Sequence, residues 1–141
     1  MSFLKYFYIH SIIEGGNVAV KKILIIDDSE LVLAMASDAL EAAGFEVFTA
    51  TNGIEANGFI FSSASKPDLI IMDIMMPLLD GDKKAKILKE KDFSKDIPIM
   101  FISSKPEHEL AKMALEADAD GYICKPFTPQ EIVSSVRKII G

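Results

Sequence analysis

From Lys21 onward, short apolar runs alternate with segments of helical period, five times over. The runs are Ile23-Leu24-Ile25-Ile26, Val47-Phe48, Leu69-Ile70-Ile71-Met72, Ile97 to Ile102, and Tyr122-Ile123-Cys124. Three of them are almost continuously apolar, as expected of strands covered on both faces in a parallel sheet. Between them, Leu31 to Ala43, Ala56 to Ser63, Lys83 to Lys91 and Leu110 to Ala117 carry the Ala, Leu, Glu and Lys content of helices. Ser29 is placed to cap the first helix, which ends at Gly44, where glycine can take the left-handed C-terminal conformation. Thr128-Pro129-Gln130-Glu131 reads as a capping box with proline at the first helical position, so a last helix runs toward Ile140. This βα alternation predicts a doubly wound α/β sandwich.

The pattern bounds one domain, residues 21–141, with no internal repeat beyond the alternation and no low-complexity linker, and the expectation is a stand-alone domain with no output domain attached. Residues 1–20 stand outside it, and the simplest expectation is a loosely docked extension. A sharper one is that Glu14-Gly15-Gly16 is a translated ribosome-binding site. Val18 or Val20, read from a GUG codon, would then be the true start. An intact Met1 terminus in the mass of the native protein would exclude this.

Composition narrows the class. Of 141 residues, 50% are hydrophobic and 26% charged, the balance of a globular chain with one respectable core. A net charge of −6 opposes nonspecific nucleic-acid binding, which needs clustered cations. The single cysteine, Cys124, excludes an internal disulfide framework and fits a reducing cytosol. No run reaches the ~20 apolar residues of a membrane span. The apolar start MSFLKYFYIHSII is broken by Lys5 and His10, with no small-residue cleavage site after it. The expectation is a cytoplasmic protein with no direct contact with membrane or nucleic acid.

The chemistry lies at the strand ends. In a parallel α/β sheet, ligands bind beyond the carboxyl ends of the strands. The first strand ends in Asp27-Asp28, the third in Asp73, the fourth in Ser103-Ser104 and the fifth in Lys125. Carboxylates gathered on one edge repel, and Mg²⁺, a hard ion using one or two carboxylates and completing its shell with water and phosphate oxygens, relieves that. The Lys125 ammonium is a point charge suited to a phosphoryl oxygen. Each element alone has a plain reading: Asp-Asp as turn chemistry, Lys-Pro as a loop, Asp73 as a solvated strand end, Ser103 satisfying a nearby carbonyl. Their joint occurrence at four strand ends is much harder to obtain by chance.

Those residues carry a resemblance to the receiver domains of two-component signalling, covering Lys21 to Gly141. The matching strings are Ile25-Ile26-Asp27-Asp28-Ser29, Pro67-Asp68-Leu69-Ile70-Ile71-Met72-Asp73, Met76-Pro77-Leu78-Leu79-Asp80-Gly81, and Gly121-Tyr122-Ile123-Cys124-Lys125-Pro126-Phe127. The resemblance implies a flavodoxin-like (βα)5 sandwich with five parallel strands in the order 2-1-3-4-5. It implies Asp73 as the nucleophile and phosphoryl acceptor. Asp27, Asp28, Asp73 and the Met75 backbone carbonyl would hold Mg²⁺, Lys125 would contact a phosphoryl oxygen, and Ser103 would hydrogen-bond the phosphoryl group. Tyr122 would report the change by switching rotamer, and the Lys125–Pro126 bond would be cis.

It also implies a histidine kinase or phosphotransfer protein as donor, docking on the first helix, and a downstream effector on the face of the fourth helix, last strand and last helix. That face could also form a homodimer. Met75 and Lys105, each two residues past a site residue, resemble positions that gate hydrolytic water, so a long-lived phosphorylated state is expected. The plain reading is that both point into solvent. His10 and His108 lack metal-ligand partners at helical spacing, and Cys124, Phe101 and Ile102 read as core.

Two other classes stay open. One is a receiver-like interaction module that is never phosphorylated, which the complete acidic set opposes. The other is a phosphatase with an aspartyl nucleophile, of the haloacid-dehalogenase type. That chemistry wants a carboxylate two residues after the nucleophile, where this chain has Met75.

Overall fold

Successive residues of a strand point to opposite faces, so an unbroken apolar run needs cover on both sides. The computed structural model, which describes residues 19–76 and 81–141, supplies it. The chain runs β1 (Lys22–Ile26), α1 (Glu30–Ala42), β2 (Glu46–Ala50), α2 (Gly53–Ile60), β3 (Leu69–Asp73), α3 (Gly81–Glu90), β4 (Ile99–Ser103), α4 (Glu107–Glu116), β5 (Gly121–Cys124) and α5 (Pro129–Ile140). The strands form one parallel sheet in the order β2-β1-β3-β4-β5, the flavodoxin-like arrangement the sequence implied.

Register turns the alternation into two cores. Leu24, Ile70 and Ile99 are cross-strand partners and share one face with Ala56, Ile60, Leu88 and Leu110 from α2, α3 and α4. Ile25, Ile71 and Met100 share the other with Leu33, Leu40, Ile132 and Val136 from α1 and α5. Phe101 and Ile102 are fully buried, one on each side. Gly121 packs closely under α5: a Cβ there would meet Ile139 Cδ1 at 3.0 Å, so that side chain would have to give by a few tenths of an ångström.

The caps follow the expected chemistry. Ser29 Oγ accepts from Val32 N–H, Thr128 Oγ1 accepts from Glu131 N–H, and Gly44 has φ 101° just past α1. Several boundaries differ from the sequence reading, those of α2, β4 and α4 among them. α2 starts at Gly53 instead of Ala56 and stops at Ile60, because Asn52 Oδ1 accepts from Glu55 N–H and caps the helix earlier. β4 starts at Ile99 because Ile97 N–H turns back to Ser94 O. α4 starts at Glu107, right after Pro106, well before the first apolar residue Leu110. Residues 1–18, with Glu14-Gly15-Gly16, Val18 and His10, and residues 77–80 of the Met76-to-Gly81 string lie outside the described residues.

Candidate functional site

β1 and β3 are neighbours in register, so their ends bring Asp27 and Asp73 together although 46 positions separate them. Asp27 is fully buried and Asp73 only 4% exposed, while Asp28 faces solvent. One carboxyl oxygen from each of the three can be chosen so that all lie within 4.8 Å of one another. Local backbone aims the two buried carboxyls. Ser29 N–H donates to Asp27 Oδ1 at 2.8 Å, and Met75 N–H donates to Asp73 Oδ1 at 2.8 Å. Each is a carboxylate closing a turn onto the amide two residues on.

Lys125 comes from the end of β5, across β4, and reaches into this cluster. Its Nζ lies 2.7 Å from Asp27 Oδ2 and 2.9 Å from Asp73 Oδ2. The Lys125–Pro126 peptide is cis. Lys125 N–H donates to Ser103 O at 2.7 Å, which ties β5 to the same edge. Burial pushes the Asp27 carboxyl above the usual carboxylate range, more than the Lys125 and Ser29 contacts pull it down. Burial also pulls on the Lys125 ammonium, yet its bonds to Asp27 and Asp73 outweigh this and hold it above the usual lysine range.

One ammonium against three carboxyl groups leaves the cluster short of positive charge. The donors are all hard oxygens, drawn from two strand ends, with one acid open to solvent. That set fits a divalent cation of the Mg²⁺ type.

The other residues singled out in the sequence divide. Ser103 is buried at the end of β4, and its hydroxyl accepts from Lys105 N–H at 3.0 Å, closing a local turn. Tyr122 is 37% exposed on β5. Met75 is half exposed, and the Ser104 hydroxyl lies 3.4 Å from its sulfur. Lys105 Nζ pairs loosely with Glu109 at 4.0 Å. His108 is exposed near the start of α4, and Cys124 is half-buried against the core. Sequence reasoning missed the two amide-to-carboxylate turns. An Asp followed two residues on by a free amide could have signalled them, but that pattern is too common to be read alone. No helix among the described residues is long and apolar enough to cross a membrane.

Against known proteins, residues 23–137 match the family described as response regulator receiver domain. The chain is 39% identical over 120 residues to the phosphate regulon transcriptional regulatory protein PhoB of Pseudomonas aeruginosa, covering 85% of this chain and 52% of that one. It is 38% identical over 120 residues to the alkaline phosphatase synthesis transcriptional regulatory protein PhoP of Bacillus subtilis, covering 85% and 48%. It thus spans about half the length of these relatives. Among solved structures it resembles the chemotaxis response regulator CheY4 of Vibrio cholerae, with a TM-score of 0.78, 29% identity, and 86% and 99% of the two chains covered. A response regulator receiver domain from Clostridium thermocellum gives a TM-score of 0.75 at 26% identity, covering 86% and 94%.

Proposed function

The chain belongs to the response regulator receiver domain family, and from that premise we propose that Asp73 accepts a phosphoryl group from a partner histidine kinase or phosphotransfer protein. The observation that carries this reading is the setting of Asp73. It is a nearly buried carboxyl beside Asp27 and Asp28, held at one oxygen by the Met75 amide and at the other by the Lys125 ammonium. Receiver domains are signalling switches of two-component systems, and an acidic cluster of this kind fits their phosphorylation site.

In the proposed reaction an Asp73 carboxylate oxygen attacks the phosphorus of a phosphohistidine. The new phosphorus–oxygen bond forms as the phosphorus–nitrogen bond breaks, and the imidazole leaves with the electron pair. Little covalent machinery is required, because positioning and charge neutralisation dominate phosphoryl transfer. Lys125 exchanges its contact with Asp73 Oδ2 for a phosphoryl oxygen and keeps its contact with Asp27. Asp27, Asp28, Asp73 and the Met75 carbonyl would hold Mg²⁺, which when bound supplies further charge neutralisation at the phosphoryl oxygens.

Release of the Lys105 amide frees the Ser103 hydroxyl to reach the phosphoryl group. Because Ser103 ends β4 and its carbonyl accepts from Lys125 N–H, a pull on Ser103 is transmitted to β5 and Tyr122. The affected face is α4, β5 and α5, where Leu115 is 83% exposed. That face is where an effector or a second copy would dock, with the kinase on α1. Such a chain needs a partner to carry its message if it acts without an output domain.

Borohydride reduces an aspartyl phosphate to homoserine. Peptide mapping of the reduced, phosphorylated chain should find homoserine at position 73. Homoserine at 27 or 28 instead would overturn the assignment.

A further inference from the structure

Outside the acidic cluster, α2 and α3 leave a groove of about 670 Å³ between them. Its apolar lining includes Ile54, Phe61 and Ile87, which are 85%, 40% and 50% exposed. A recess between two helices that carries exposed apolar side chains is a shape that an inserted helical segment can cover. Its rim is basic, with Lys83, Lys84 and Lys91, in a chain whose net charge is −6.

Two of these cations, Lys84 and Lys91, face neutral partners. Lys84 is half-buried, and its Nζ donates to the neutral Asn57 amide oxygen across the groove at 2.7 Å. Burial and the nearby Lys91 charge hold its ammonium below the usual lysine range. Lys91 stands 5.0 Å from the centre of the Phe61 ring, and Phe61 packs on Phe93 at 6.1 Å. The acid in the lining, Glu55, is taken up by the Thr51 amide and the Asn52 side chain.

We propose that this groove docks an acidic amphipathic segment of a partner protein. The segment's apolar side chains would cover Ile54, Phe61 and Ile87, and its carboxylates would face Lys84 and Lys91 in place of the Asn57 amide. Helix-in-groove recognition uses this combination of apolar anchors and flanking charge. The apolar residues line a recess between two helices, which suits an inserted segment better than a flat bilayer. Glu55 and the net negative charge disfavour a polyanion such as nucleic acid. Docking of this kind does not require phosphorylation at Asp73.

The test uses the full chain and a fluorescent helical peptide of about five turns, with Leu at i, i+3, i+4 and i+7 and Glu between them. A twin peptide carries Lys for Glu, and separate arms use phosphatidylcholine–phosphatidylserine vesicles and a short DNA duplex. The acidic peptide should bind. Its affinity should fall about tenfold in Lys84→Glu/Lys91→Glu and comparably in Ile54→Ala/Ile87→Ala, with far-UV circular dichroism unchanged. Asp73→Asn should bind it as tightly as the parent. Absence of binding, equal binding of the Lys twin, or indifference to the groove substitutions would overturn the proposal. So would stronger binding of vesicles or duplex, or a concentration-dependent self-association that the Lys84→Glu/Lys91→Glu change abolishes.

Discussion

Lys125 Nζ donates to Asp73 Oδ2 at 2.9 Å, joining residues 52 positions apart at the carboxyl edge of the sheet. The same ammonium lies 2.7 Å from the fully buried Asp27. One side chain therefore balances two buried carboxyls that would otherwise repel.

Removing that ammonium leaves buried charge without compensation. Lys125→Met is expected to lower stability by about 2 kcal/mol in the presence of EDTA, at the low end for breaking a buried pair because the lysine is partly solvated. The loss should shrink when Mg²⁺ is added. Urea unfolding midpoints in EDTA and in Mg²⁺ measure both. A variant as stable as the parent in EDTA would contradict the role given to Lys125.

Met75 and Lys105 each lie two residues past a site residue, Asp73 and Ser103, and the proposed phosphorylation makes them candidates to gate hydrolytic water. The Ser104 hydroxyl holds the Met75 sulfur, and Glu109 loosely holds Lys105. Met75→Asn with Lys105→Glu should speed loss of the phosphoryl group by roughly threefold to tenfold, a barrier change of about 1 kcal/mol. The decay of the phosphorylated mass with time reads this directly, and an unchanged half-life would assign both side chains to solvent.

Ser94 is fully buried in the turn after α3, and its hydroxyl donates to Leu88 O at 2.7 Å. Ser94→Ala leaves that carbonyl unpaired at the end of the helix. The expected cost is about 1–2 kcal/mol, seen as a lower denaturant midpoint with an unchanged slope. No shift would mean that the carbonyl finds another partner.

Glu55 is held below the usual carboxylate range by its bonds from the Thr51 side chain and amide. A depressed folded pKa contributes stability that is present above the unfolded pKa and fades as pH falls through the folded one. Glu55→Gln should therefore flatten the acid side of the stability–pH curve while leaving the curve's shape above the ordinary Glu range unaltered. An identical acid limb in the variant would show that the bonds are not maintained in solution.

The fold was legible because periodicity and caps agreed: runs such as Leu69 to Met72 are apolar on both faces, and Ser29, Gly44 and Thr128 act where their chemistry implied. Boundaries were less legible wherever a neighbouring polar group decided them. Asn52 reset the start of α2, and the Ser94 carbonyl took the Ile97 amide away from the sheet. In the site, strand-end position foretold the gathering of Asp27, Asp28, Asp73 and Lys125. It did not foretell that Lys125 contacts both buried acids, or that the Ser103 hydroxyl is engaged by Lys105 N–H. Those depend on side-chain reach. The α2–α3 groove was invisible in the sequence because its lining comes from two helices whose exposed faces each look ordinary alone.

The most direct test of Asp73 as acceptor is acetyl-phosphate labelling with Mg²⁺, read by intact mass for the parent chain and for Asp73→Asn. The parent should gain the mass of one phosphoryl group with Mg²⁺ and should gain none in EDTA-treated samples that were never given Mg²⁺. Asp73→Asn should gain none. Labelling of Asp73→Asn to the parent's extent would contradict the assignment of Asp73.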